Sequence, residues 1–222
     1  MWIIFIAFAL LSWIVSSSLE RKIRKFSEVP VRFTGREIAE RILRDNGIDD
    51  VVVTCIKGKL TDHYNPIDRT VNLSEGVYNS SNVAAVAVAA HECGHALQHR
   101  EEYAPLQFRS ALVPVVSFSN KWVMWVILAG LLVIDRFPQL LLFGIGLYGL
   151  TTLFTFVTLP VEIDASKRAI TWLEIAGVTN SETTPMAKSA LRSAAYTYVV
   201  AALASLATLI YYISIYTGSN RN

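Results

Sequence analysis

Residues 139–159 contain no Asp, Glu, Lys, Arg or His, and about 20 such residues are what an α-helix needs to cross the hydrocarbon of a bilayer. This stretch constrains the chain more than any other feature, because a backbone in lipid must satisfy its own hydrogen bonds and only helices and closed barrels do so. Residues 1–19 and 194–216 have the same character, and residues 110–134 share it apart from Pro114 and the pair Asn120-Lys121. Lys121 can snorkel if that span begins near it. Asp135-Arg136-Phe137-Pro138 then makes the turn of a helical hairpin. Of the 222 residues 53% are hydrophobic and 17% charged, with nearly all charge between the apolar runs, so a membrane protein with a compact polar part is expected rather than a soluble globule.

The first apolar run is followed by Glu20-Arg21-Lys22-Ile23-Arg24-Lys25. A cleaved signal peptide carries its basic residues ahead of the apolar run, so residues 1–19 read as a retained anchor. Four spans place residues 20–109 and 161–193 on one side of the membrane. Arg21, Lys22, Arg24, Lys25, Lys167, Arg168, Lys188 and Arg192 all lie there, which points to the cytoplasm. A net charge of +2 from scattered basic residues argues against a nucleic-acid surface. Cys55 and Cys93 form no CxxC pair and read as two buried, reduced thiols.

Within the polar part, Thr34-Gly35-Arg36-Glu37 has the form of a capping box, with Ile38, Ala39, Ile42 and Leu43 at helical spacing and Gly47 as a stop. Residues 51–56 and 69–73 read as strands, separated by the turn-rich Lys57-Gly58 and Asn65-Pro66. Val71, Asn72 and Leu73 are the candidate strand for holding an extended peptide by strand addition. His63 and Tyr64 fall in the loop between the strands.

Ser81 or Asn82 can cap a helix that runs through small apolar residues into His91-Glu92-Cys93-Gly94-His95 and on to about Arg100. Residues four apart on a helix share a face, so His91 and His95 can both reach one ion at about 2.1 Å, the bond length zinc prefers. Glu92, one position round, cannot ligate the same ion comfortably but can take a proton from an activated water and return it to a leaving amine. The placement of HExxH inside a helix is the context this chemistry demands. His99 lies eight residues beyond His91, roughly 12 Å along the axis, too far to share the ion. The third ligand must come from elsewhere. Glu162 is the first candidate, in the opening turns of a new helix begun by Pro160; Asp164 is the alternative ligand or an orienter of a histidine, and Arg168 can pair with either acid. His63, Tyr64, Tyr78 and Arg168 are the candidate donors to an oxyanion.

The segments HECGHALQH, DHYNP, LSEGVYNSSNVAAVAVAAHE and LPVEIDASKRA together resemble the YugP-like neutral zinc metallopeptidases of bacterial membranes, over essentially the whole chain. The resemblance implies a zinc peptidase of the bacterial cytoplasmic membrane, with one Zn2+ held by His91, His95 and Glu162 and with Glu92 as acid and base. HtpX-like and CAAX-processing peptidases are more distantly similar. Their pattern places an Asp four residues after the ligand Glu, where this chain has Ser166.

The expected architecture is an α+β membrane protein: mainly helical, about four transmembrane helices, and a small sheet beside a zincin-like HExxH helix. Residues 1–19 form an anchor, 20–109 a cytoplasmic part with the motif helix and 110–160 a transmembrane hairpin. Residues 161–193 return the third ligand, 194–217 make the last span, and 218–222 are a short tail. The expected activity is that of a gluzincin-like endopeptidase acting on peptides or membrane proteins. A membrane scaffold or chaperone-like module with a structural zinc site is the competing class, and Glu92 argues against it, since a structural site has no use for an acid beside an open position. A zinc transporter would need ionisable residues inside the spans, where Lys121 stands alone in the central pair.

Overall fold

A computed structural model describes residues 2–219, which fold as a mainly helical α+β protein with one small sheet. The elements are α1 (Trp2–Phe26), α2 (Gly35–Asp45), β1 (Val52–Ile56), β2 (His63–Asn65), β3 (Thr70–Ser74), α3 (Glu75–Tyr78), α4 (Val83–Arg100), α5 (Ala104–Leu132), α6 (Pro138–Ile175) and α7 (Thr183–Ser219). Two compact units divide them: residues 1–12, 107–159 and 198–222 form one, and residues 13–106 and 160–197 the other.

The first unit is made of long apolar helix segments. Among the described residues α5, α6 and α7 are long and apolar enough to cross a membrane. The expected anchor at residues 1–19 lies partly outside the described residues, as do residues 220–222 of the expected tail. Small residues bring the helices of this unit together, as they do where lipid supplies no hydrophobic drive to associate. A Cβ on Gly130 would stand 2.6 Å from the Cα of Leu141, and one on Gly144 2.8 Å from a side-chain carbon of Ile127. Polar side chains pair across helices: Thr151 donates to Asn120 at 2.8 Å, and the hydroxyls of Thr152 and Ser205 meet at 2.8 Å. The expected polar interruption at Asn120 therefore has an internal partner. Large apolar side chains such as Phe118, Trp122, Trp125 and Phe143 remain on the outside.

The second unit has an ordinary hydrophobic core. Helix α2 starts with the reciprocal capping box of Thr34 and Glu37, and the backbone N–H of Thr34 holds the Glu37 carboxyl below the usual carboxylate range. It ends at Gly47, in the left-handed region at φ +61°, with the Gly47 and Ile48 amides bonded back to Arg44 and Leu43, a Schellman closure. Its buried face, Ile38, Ala39, Ile42 and Leu43, packs into one cluster with Val71 and Leu73 of the sheet and the small residues of α4.

The sheet order is β1-β3-β2, with β1 parallel and β2 antiparallel to β3. Three expectations change here. Residues 63–65 are a strand rather than a loop, because Tyr64 pairs with Val71 and Asn65 with Thr70. Val71, Asn72 and Leu73 lie on the central strand, Val71 and Asn72 paired with both neighbours and Leu73 with β1, so they offer a substrate no continuous free edge, and Val71 and Leu73 point into the core. Cys55 is exposed because β1 is an edge strand, while Cys93 is buried.

The expected helix start at Pro160 is also corrected: α6 runs unbroken through it. Proline there removes the amide that would bond the carbonyl of Phe156, a cost of about 3 kcal/mol in an ordinary helix. Continuity keeps Val161, Ala165, Ala169 and Leu173 in one stripe, each buried in the second unit, and that burial offsets the lost bond. Gly177 ends α6 at φ +65°, and the Gly177 and Val178 amides bond to Glu174 and Leu173.

Candidate metal centre

Helix α4 begins where Asn82 caps it, its side chain accepting the Ala85 N–H at 2.9 Å. The first two turns are Val and Ala, most of them with almost no exposure. Small side chains allow close approach on every side, and α4 is buried as deeply as a helix in the middle of a larger core. The same helix then carries His91, Glu92 and His95.

Gly94 decides what lies against that turn. A Cβ there would stand 2.6 Å from the carbonyl oxygen of Ala165 on α6 and 3.0 Å from its Cα, closer than side chains approach. The glycine lets the two helices meet, and Glu162, three residues before Ala165, comes to the histidine pair. Glu162 Oε2 lies 3.2 Å from His91 Nε2 and 3.6 Å from His95 Nε2. The rings are 4.8 Å apart between centroids and nearly perpendicular. Ligands at about 2.1 Å from one tetrahedral zinc stand about 3.4 Å from each other, so this set of donors fits such an ion. His91, His95 and Glu162 are the group of described residues whose ligand atoms all fall within 4.8 Å and could hold a metal.

Both imidazoles are held from behind. Gln98 donates its Nε2 hydrogens to the carbonyl of Val161 at 2.8 Å and to Asp164 at 2.9 Å, which turns Oε1 to His95 Nδ1 at 3.0 Å. Ser166 Oγ lies 3.1 Å from His91 Nδ1. With each Nδ1 engaged, each Nε2 faces Glu162 with its lone pair available to an ion. Burial alone would lower the pKa of His95, but the hydrogen bond it donates to Glu162 and the charges of Glu92 and Glu162 outweigh it and raise it above its ordinary value.

Glu92 stands beside this group with one oxygen bound, Oε2 accepting the backbone N–H of Tyr64 at 3.1 Å. The tether comes from the outer edge of β2 and leaves Oε1 to meet another partner. The Tyr64 hydroxyl lies 2.7 Å from His99 Nδ1, which ties the strand to the last turn of α4.

Residues 1–217 match the family described as "Putative neutral zinc metallopeptidase". The chain belongs to this family. It is 39% identical over 210 residues to the "Putative membrane protease YugP" of Bacillus subtilis (strain 168), a match that covers 93% of this chain and 92% of that one. No solved structure matches it.

In this member of the neutral zinc metallopeptidase family the structure brings together His91, His95, Glu162 and Glu92, while other sequence candidates lie elsewhere. Asp164 is outside the ligand group and instead accepts from Gln98 and, at 2.5 Å, from Arg168. Arg168 is committed to Asp164 and, at 2.6 Å, to Glu101. His63 is exposed, with Nδ1 against the carbonyl of Thr61 and Nε2 against Asn72, and Tyr78 lies under the guanidinium of Arg36. Cys93 turns its sulfur to the carbonyl of Ala39 at 3.7 Å, and burial raises its pKa. Gln98 and Ser166 are the site residues that the sequence reading did not select. Gln98 sits three residues after His95, a spacing that puts the two on one helical face, and that signal was available.

Proposed function

We propose that this chain is a membrane-bound zinc endopeptidase of the gluzincin type, with His91, His95 and Glu162 as its zinc ligands and Glu92 as its acid and base. The observation that carries the reading is the meeting of His91 Nε2 and His95 Nε2 with Glu162 Oε2 at 3.2 and 3.6 Å, with a tethered Glu92 carboxylate alongside.

A zinc ion bound there supplies Lewis acidity, which lowers the pKa of water and polarises a carbonyl. The protein's own groups do the rest. Glu92 Oε1 takes the proton of the attacking water and delivers it to the nitrogen of the departing amine. The Tyr64 N–H keeps Oε2 fixed, so only one carboxylate oxygen has to move the proton. Ser166 and Gln98 hold the rings so that Nε2 faces inward. An extended peptide would not add to β3, which lies between β1 and β2, because strand addition needs unpaired backbone groups. Asp164 works through Gln98, and Arg168 through Asp164.

Residues 1–19 add a fourth span to α5, α6 and α7 in this reading. The basic residues at 21–25, 167–168, 188 and 192 then put residues 20–109 and 161–193 in the cytoplasm of a bacterium, where the substrates are peptides or membrane proteins.

The test uses the full-length protein in detergent with unfolded and membrane-protein substrates. Cleavage should stop on chelation and return with Zn2+. Glu92→Gln should lose at least about 100-fold of the rate with zinc still bound. One zinc per chain with no turnover of any substrate would describe a structural site instead and overturn the proposal.

A further inference from the structure

Gln98 is fully buried, at 0% exposure, one helical turn beyond His95. A buried primary amide is an expensive side chain unless every polar atom is matched, and here they are. Nε2 has two hydrogens and two acceptors, the Val161 carbonyl at 2.8 Å and Asp164 Oδ2 at 2.9 Å, both on α6. The oxygen therefore has one direction left, toward His95 Nδ1 at 3.0 Å. Asp164 is itself held by Arg168 at 2.5 Å, and Arg168 by Glu101 at 2.6 Å, at the C-terminal end of α4. The chain of contacts leaves α4 at His95, crosses to α6 and comes back to α4 at Glu101. Among the described residues His91 Nδ1 has the hydroxyl of Ser166 as its partner and no such network behind it.

We infer that Gln98 is a positioning residue that fixes His95 as the Nδ1–H tautomer and locks its ring toward Glu162, with Asp164 acting as the anchor that keeps the Gln98 amide from rotating. The inference rests on the reading of His91, His95 and Glu162 as zinc ligands. It gives Asp164 a role without placing it on the ion. It also makes the two histidine ligands unequal: His95 is preset by a network spanning two helices, and His91 by one neutral hydroxyl.

The experiment titrates metal-free, full-length protein in detergent with Zn2+ against a chromophoric chelator, and records the absorption bands of Co2+ as a readout of ligand geometry. Wild type should take up one ion, and His91→Ala should lose it. Gln98→Leu should weaken Zn2+ binding by about 10- to 100-fold and shift the Co2+ bands. Gln98→Glu, which sets a carboxylate against Asp164, should be as weak. Asp164→Ala leaves Gln98 in place with its amide released, and should weaken binding by about tenfold; it serves as the second arm if Gln98→Leu does not fold. Zn2+ affinity within about twofold of wild type in these variants, or Co2+ bands unmoved while only the melting point falls, overturns the inference and leaves the zinc site standing. Wild type that binds no Zn2+, or binds it equally after His91→Ala, overturns the zinc reading and this one with it.

Discussion

Helices α4 and α5 follow one another in the chain, are both strongly apolar, and have opposite fates. In α4 most of the apolar residues are Val and Ala, and almost none of their surface remains exposed. In α5 they include Phe118 and Trp125, which keep 65% and 68% of theirs. The burial of α4 gives it a dry, rigid setting for three polar residues that have to keep fixed positions. The exposure of α5 suits a helix whose solvent is lipid, where large apolar side chains cost nothing on the outside. Apolar content alone does not separate a core helix from a spanning one; the size of the side chains does.

The sharpest division between the two helices comes from Glu92→Gln in α4. The new amide oxygen can still accept the Tyr64 N–H, so the fold should hold while peptide cleavage falls by about 100-fold or more, measured on protein whose zinc content is unchanged. Glycine substitutions come next and should differ in sign. In a helix interior Gly→Ala ordinarily stabilises by about 1 kcal/mol. Gly146 on α6 has nothing within 4 Å of a new Cβ, and Gly146→Ala should follow that rule or be neutral. Gly94→Ala should reverse it, because its Cβ meets the Ala165 carbonyl and overpacking costs about 1–3 kcal/mol; thermal unfolding of the two variants checks the contrast. Loss of the cap in Asn82→Ala should cost about 1 kcal/mol, read by the same melt. Trp125→Ala should change the melting point least, within about 0.5 kcal/mol, and a loss like that of a core aromatic would show that α5 is buried after all.

Much of this was legible in the sequence because local rules govern it. The capping box at Thr34, the stop at Gly47, the Asn82 cap and the facing of His91 and His95 each depend on a few neighbouring residues. Glu162 was reachable too, since two histidines four apart demand a distant partner. What the sequence did not show depends on packing between distant segments. Nothing local reveals that β2 forms from His63–Asn65 and closes one edge of β3, since three residues carry no periodicity of their own. Pro160 looked like a start because proline usually is one; its tolerance inside α6 comes from the buried stripe that follows it. Asp164 looked like a ligand because it is an acid two residues after Glu162, yet on a helix that spacing turns it to another face, where Gln98 waits.

One ion held between α4 and α6 is the centre of the proposed chemistry. Zinc-edge anomalous diffraction from crystals of the zinc-loaded protein measures that directly. The expected result is a single anomalous peak about 2.1 Å from His91 Nε2, His95 Nε2 and a carboxylate oxygen of Glu162, with Glu92 and Asp164 off the metal. A peak bound by Asp164 in place of Glu162, or no peak between α4 and α6 at saturating zinc, would contradict it.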